Sequence, residues 1–250
     1  MTRTLLYHDV VPAGDYASSG FQSPDANIYK FTIDEFEQHL TAIRRRAPQN
    51  MLLTFDDGGV SAIRATADII ERFGHKGHFF ITTDYIGTTG FMSAAEISEL
   101  ARRGHIIGSH SCSHPALMSR CPAQQLDHEW RDSVARLSDI LGAQVTSASV
   151  PGGSYSATVG RSAAAAKIKT LFTSEPTSSE GAIDTCTLIG RFSVQRGTSP
   201  EVAAALAAGD LLPAFRQAAY WNFKKILKRA GGTAWIEFRK AVLAKRSTHV

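Results

Sequence analysis

Apolar runs rich in β-branched and aromatic residues alternate along this chain with stretches in which apolar residues recur every three or four positions. The first kind predicts strands: TLLYHDVV (4–11), NMLLTF (50–55), GHFFITT (77–83), HIIGSH (105–110), VTSASV (145–150), KTLFTS (169–174) and TLIGRFSV (187–194). The second predicts helices over Thr32–Arg45, with Phe36, Leu40 and Ile43 on one face, and over Val60–Phe73, Ser93–Arg103 and Pro122–Leu141. Seven strands separated by helices and short loops indicate a parallel sheet. So many units in one domain favour an α/β fold of the (β/α) barrel kind, seven-stranded, over an open doubly wound sheet. No GxGxxG follows any strand, which argues against dinucleotide binding. The pattern changes near Leu211, so residues 1–210 read as the barrel and 211–250 as a helical C-terminal extension, two stretches separated by Gly231-Gly232.

The 250 residues, 43% hydrophobic, suffice for a sizeable core. The net charge of +4 is unevenly spread: residues 216–246 hold nine Lys and Arg against the single acid Glu237, a local +8 that leaves −4 for the rest. A basic tail on a slightly acidic body argues against nucleic acid as a partner. In that tail Trp221, Phe223, Ile226 and Leu227 are interleaved with Lys224, Lys225, Lys228 and Arg229. Such a segment either makes peripheral contact with an anionic membrane surface or an acidic glycan, or packs its apolar face on the barrel with its lysines solvated; packing is the favoured reading. Cys112, Cys121 and Cys186 are odd in number and form no CxxC, which argues against a disulfide framework or thiolate zinc site and fits a reducing compartment. No run of eighteen apolar residues occurs, and the N-terminal segment is too short and polar for an export signal, so the expectation is a cytoplasmic protein with no membrane span.

Two polar knots close predicted strands. LLTFDDGG (52–59) places adjacent carboxylates where a buried strand surfaces, an arrangement that is costly unless a cation, a proton or a strong hydrogen-bond network compensates it. A turn supplying Asx hydrogen bonds is the plainer alternative. IIGSHSCSHP (106–115) sets His110 and His114 four apart, a spacing that lets two imidazoles share a metal ion. In a parallel barrel both knots point into one mouth. A divalent cation held by one aspartate and two histidines neutralises one carboxylate and leaves the other as a proton acceptor. Ligand count alone suits a hydrolase or an oxygenase; the second aspartate favours hydrolysis. His78 and His105 fall at strand starts, away from the mouth, and read as structural.

TFDDG followed about fifty residues later by HSxSHP resembles the first two motifs of the polysaccharide deacetylases, the family-four carbohydrate esterases. TIDEFEQHL, GHFFIT, GHIIGSHSCSHP and HEWRDSVARLSDILG are similar too, and the resemblance extends over roughly Leu5–Ser193. It implies a distorted barrel that removes acetyl groups from glycans with a divalent metal, Zn2+ first and Co2+, Ni2+ or Mn2+ as alternatives. It also implies Asp56 as general base and Asp57, His110 and His114 as metal ligands. The family's third motif, Arg-x-Pro-Tyr-Gly, meets Ser149-Val150-Pro151-Gly152-Gly153, where Pro151 and Gly153 agree and the Gly152 N–H can donate to an oxyanion. The arginine that pairs with the catalytic aspartate is replaced by Ser149, which implies a less well oriented Asp56; Arg191 in LIGRFSV is the candidate to supply the charge. The family's late Leu-x-x-His is absent, and its literal match, LLYH ending at His8, makes His8 the candidate acid if the first and last strands meet. The expected function is metal-dependent deacetylation of N-acetylated sugars in a polysaccharide or glycan precursor. Hydrolysis of a small amide or imide is an alternative. So is a catalytically weak barrel that binds glycan or organises partners, against which the retained Asp56 speaks.

Overall fold

The computed structural model describes residues 3–46 and 51–223. The chain opens with β1 (Arg3–Tyr7), β2 (Val10–Val11), a short helix α1 (Pro24–Asn27), β3 (Phe31–Thr32) and α2 (Ile33–Arg46). Three strand–helix repeats follow: β4 (Met51–Phe55) with α3 (Ala67–Arg72), β5 (Gly77–Ile81) with α4 (Ala94–Arg102), and β6 (Ile106–Ser109) with α5 (Ala123–Leu141). Then come β7 (Ser147–Ser149), α6 (Ala157–Ala165), β8 (Thr170–Phe172), β9 (Glu180–Ile183), β10 (Cys186–Ile189), β11 (Phe192–Ser193) and α7 (Pro200–Ala208). Residues 211–223 are helical.

Nine strands form one sheet in the order β11-β1-β4-β5-β6-β7-β8-β10-β9, and β2 pairs with β3 separately. Every pairing in the large sheet is parallel except the β9–β10 hairpin. The sheet curls into a barrel with a seam: β10 lies beside β8, β11 lies beside β1, and only Gly190 and Arg191 link the two strands. Three peptide steps reach about 10 Å, so the sheet's two ends approach each other there.

This is the expected distorted barrel, with nine strands where seven were predicted. TLLYHDVV breaks at His8-Asp9 because the Asp9 carboxylate turns inward to accept hydrogen bonds from Ser19 (2.6 Å) and Ser61 (2.7 Å). TLIGRFSV breaks at Gly190-Arg191, where the Arg191 N–H donates to the Glu175 carbonyl (2.9 Å). The β9 segment EGAI is exposed along most of its length and has no apolar run to announce it.

Side chains alternate across the strands. Leu5, Tyr7, Leu53, Phe55, Phe79, Ile81 and Ile107 join the core shared with the helices, where Phe55 stacks on Phe79 at 4.9 Å and Tyr7 meets Phe36 of α2 edge-on at 5.1 Å. Helix α2 begins at a reciprocal cap: the Glu35 carboxylate accepts from the Thr32 N–H, and the Thr32 hydroxyl accepts from the Glu35 N–H. The opposite set, including Leu6, Thr54, Phe80 and Phe172, looks into the barrel. Gly108 makes room there, since a Cβ at that position would lie 2.6 Å from the Phe80 ring.

Residues 12–30 cross the barrel mouth, and Asp9 anchors them. Its carboxylate receives the Ser19 and Ser61 hydroxyls, while the buried Lys30 ammonium donates to the carbonyls of Tyr16 and Ser19, both at 2.7 Å. Burial raises the Asp9 pKa and the nearby Asp57 adds to the rise, against the two hydroxyls and Lys30. Asp9→Ala strands two buried donors, each worth about 1–3 kcal/mol when unmet. Urea denaturation of that variant is expected to show a loss of roughly 2–4 kcal/mol. A loss below about 0.5 kcal/mol, the range of a neutral surface change, would place the anchor of this segment elsewhere.

Candidate active site

Consecutive strand residues point to opposite faces, so two adjacent aspartates at the end of β4 need a special backbone to share a site. Asp56 continues the inward alternation of Thr54. Asp57 then adopts a left-handed conformation (φ 79°), followed by Gly58 (φ 88°), which brings its carboxylate to the same cleft. The second knot is strained in the same way: Ser111 and His114 have φ of 66° and 59°. The four-residue spacing of His110 and His114 is thus realised in a compact loop at the end of β6. Strain of this kind persists only where the surroundings enforce it. Here the buried Glu129 of α5 accepts hydrogen bonds from the N–H groups of Cys112 and Ser113 (both 2.9 Å) and from the Ser113 hydroxyl (2.5 Å).

The Nε2 atoms of His110 and His114 lie 3.4 and 3.5 Å from the same atom, Asp57 Oδ1. His110 Nδ1–H donates to the Ser149 carbonyl (2.9 Å), which turns the lone pair of its Nε2 toward that oxygen. Asp57 Oδ1 is buried and has no hydrogen-bond partner among the described residues. Lone pairs converging in this way repel unless a cation stands between them. Ligand atoms about 2.0–2.2 Å from a tetrahedral ion are roughly 3.3–3.5 Å apart, so the spacing fits a divalent metal. Burial works to raise the Asp57 pKa, but His8, His110 and His114 outweigh it and hold the carboxylate ionised. Burial lowers the His114 pKa and so favours the neutral imidazole that a ligand requires, whereas burial of His110 acts to lower its pKa but Asp56 and Asp57 outweigh it and raise it.

Arg191 occupies the seam, fully buried, with its guanidinium over the rings of Phe80 and Phe172. It grips Asp56 with two parallel bonds, Nη1 to Oδ1 at 2.7 Å and Nη2 to Oδ2 at 2.8 Å. Its remaining bonds go to the Ser149 hydroxyl (2.6 Å), the Thr54 hydroxyl (3.3 Å) and the Thr173 carbonyl (3.0 Å). Ser149 in turn donates to Asp56 Oδ2 at 3.0 Å. The expectation that losing arginine at position 149 leaves Asp56 poorly oriented is therefore corrected, because a guanidinium arrives from position 191. Burial of Asp56 acts to raise its pKa, but Arg191 and His110 bring it below the ordinary carboxylate value.

Six predicted residues, His8, Asp56, Asp57, His110, His114 and Gly152, line one cleft of about 590 Å³, with Arg191 beneath. His8 follows β1 and packs on Tyr29 at 4.4 Å, and Phe21 packs on His114 at 5.0 Å. Gly152 (φ 58°) sits in the turn Pro151–Gly153. His78 and His105 lie elsewhere; His105 Nδ1 accepts from the Gly77 N–H at the start of β5. The sequence reading passed over Glu129, although a carboxylate on the buried face of α5, three residues after Leu126 and four before Ser133, was a usable signal. It also missed that helix 211–223 walls the cleft with Gln217, Tyr220 and Trp221. The favoured packing of an apolar face holds only in part: Gln217 and Trp221 face the body, whereas Leu212, Phe215 and Phe223 are exposed. Lys224, Lys225, Ile226, Leu227, Lys228 and Arg229 lie outside the described residues. No helix of the described residues is long and apolar enough to cross a membrane.

The family profile described as polysaccharide deacetylase matches residues 44–171. YxkH of Bacillus subtilis, named as a polysaccharide deacetylase, is 26% identical over 158 residues, 60% of this chain and 56% of that protein, so the match spans little more than half the relative's length. The Streptococcus pyogenes deacetylase PplD superposes with a TM-score of 0.66 at 18% identity, covering 80% of this chain and 95% of that one. IcaB from Ammonifex degensii gives 0.65 at 20% identity, with 83% and 97% covered. At these identities the two structures establish a shared fold. The donor set itself carries a test: purified protein is expected to hold close to one equivalent of divalent metal, and His110→Ala or His114→Ala to lose it on elemental analysis. Wild-type protein that neither contains nor takes up metal on titration would remove Asp57, His110 and His114 from any metal-binding role.

Proposed function

Since the chain belongs to the polysaccharide deacetylase family, we propose that it is a metal-dependent hydrolase that removes acetyl groups from N-acetylated sugars of a glycan. The observation that carries this reading is the pairing, in one cleft, of a buried Asp/His/His cluster with a second aspartate gripped by a buried arginine. Asp57, His110 and His114 would hold the ion. A divalent cation there supplies Lewis-acid polarisation of the acetyl carbonyl and acidity to a nearby water. Asp56, kept ionised and fixed in orientation by Arg191, accepts the proton of the attacking water. The Gly152 N–H donates to the oxygen that gains charge. His8 returns a proton to the departing sugar amine as the C–N bond breaks; its closeness to Asp57 across the cleft supports that role. An open cleft walled by Phe21, Tyr29, Tyr220 and Trp221 favours a glycan over a small amide or imide. PplD was solved with acetate, the product expected of such a reaction.

Acetate release from N-acetylglucosamine oligomers, with metal present and after chelation, tests the reading directly. Asp56→Asn keeps the shape of the carboxylate but not its basicity, and is expected to retain metal while losing about 10²–10⁴ in rate. Retained activity would mean that Asp56 is not the base. His8→Ala is expected to bind metal normally, to slow amide hydrolysis strongly, and to lose much less on an activated ester whose leaving group needs no proton. Equal losses on both substrates would assign His8 to binding or structure instead.

A further inference from the structure

Helix 211–223 is fixed to the barrel by a two-way bond between the Gln217 amide and the backbone of Ser193 in β11: Nε2 donates to the carbonyl (2.7 Å) and Oε1 accepts from the N–H (3.1 Å). One turn later the same face presents Trp221. Its ring edge abuts Gly153, where a Cβ would fall 2.6 Å from Trp221 Cη2, so the indole rests against the turn that carries Gly152. The indole lines the cleft that holds Asp57, His110 and His114. Its N–H is buried and has no acceptor among the described residues. The placement is not a by-product of hiding an apolar helix face, because Leu212, Phe215 and Phe223 of the same helix are left exposed.

A flat apolar ring beside a polar cleft floor matches a pyranose, which presents C–H groups on one face and hydroxyls around its edge. We propose that Trp221 forms a sugar subsite on the Gly152 side of the cleft, stacking on the residue next to the one being deacetylated. The subsite rests on the reading of the cleft as a glycan site. It makes Trp221 a specificity residue for chains over single sugars. Gln217 is a positioning residue that holds it through β11.

The test compares Trp221→Ala and Trp221→Phe with wild type on the N-acetylglucosamine tetramer and on 4-nitrophenyl acetate, and follows tetramer binding by intrinsic fluorescence. The expected result for Trp221→Ala is a KM for the tetramer raised about tenfold with kcat changed less than about twofold, and a much smaller loss on the ester. Trp221→Phe keeps a ring without the N–H and, made in a Trp235→Phe background so that only the fully buried Trp130 remains, is expected to recover most of the affinity while abolishing the fluorescence response. Wild-type KM in both variants, or matching losses on tetramer and ester, would overturn the subsite while leaving deacetylation intact. A wild type that binds the tetramer with a Trp221-dependent signal yet releases no acetate would support the subsite and overturn the proposed reaction. No tetramer binding by the wild type would overturn both.

Discussion

The buried pair of Arg191 and Asp56 is the interaction on which the rest of the architecture depends. An arginine has five N–H donors, and each is accounted for: two on the Asp56 carboxylate, one each on Thr54, Ser149 and the Thr173 carbonyl. These acceptors lie on or just beyond β4, β7 and β8, while Arg191 itself lies in the link between β10 and β11. One side chain therefore ties both sides of the seam to the strand that carries Asp56. Burying either charge alone costs several kcal/mol, and full hydrogen bonding together with a bidentate partner is what makes the burial tolerable. The barrel can stay unclosed by backbone hydrogen bonds at this point because a charged bolt spans the gap.

The side of the cleft formed by Asp57, His110 and His114 obeys a second constraint, local strain held by distant support. Asp57, Ser111 and His114 occupy left-handed backbone that non-glycine residues adopt at a cost of order 1–3 kcal/mol each. Ser109 bonds the Ser133 hydroxyl of α5 at 2.6 Å and accepts from the Ser111 N–H, and Glu129 of the same helix gathers the next two N–H groups. Helix α5 thus presents a polar stripe, Glu129 and Ser133, within an otherwise apolar face of Leu126, Trp130, Val134 and Leu137. That stripe binds a strained loop, and its removal would release the loop rather than merely open a cavity.

These constraints explain what was legible in the sequence. The two polar knots could be read because their side chains sit at strand ends whose apolar runs are local, and a parallel barrel gathers such ends at one mouth. Arg191 could be named as a compensating charge, but its bidentate grip on Asp56 depends on closure between β10 and β11, which no local pattern encodes. The strand breaks at His8-Asp9 and Gly190-Arg191 were hidden for the same reason: in each, a polar side chain leaves the ladder for a partner far away in sequence. Glu129 and Trp221 act across 17 and 68 residues on Cys112 and Gly153, separations over which periodicity says nothing.

The distribution of parts along the chain separates reaction from selectivity. Residues 44–171, the stretch that matches the family, contain Asp56, Asp57, His110, His114, Glu129, Ser149 and Gly152, which are the metal-ligand candidates, the candidate base and their supports. The walls of the cleft come mostly from outside it: His8, Phe21 and Tyr29 before, and Gln195, Gln217, Tyr220 and Trp221 after. Arg191 and the proposed proton donor His8 also come from outside it, so the proposed chemistry draws on both flanks, and the seam where Arg191 enters adjoins the strand that Gln217 clamps. A change in the C-terminal helix that shifted β11 would reach Asp56 through Ser193, Phe192 and Arg191, a path of three consecutive residues. The flank that walls the cleft is therefore mechanically continuous with the cation that orients Asp56, and neither can be altered freely without the other.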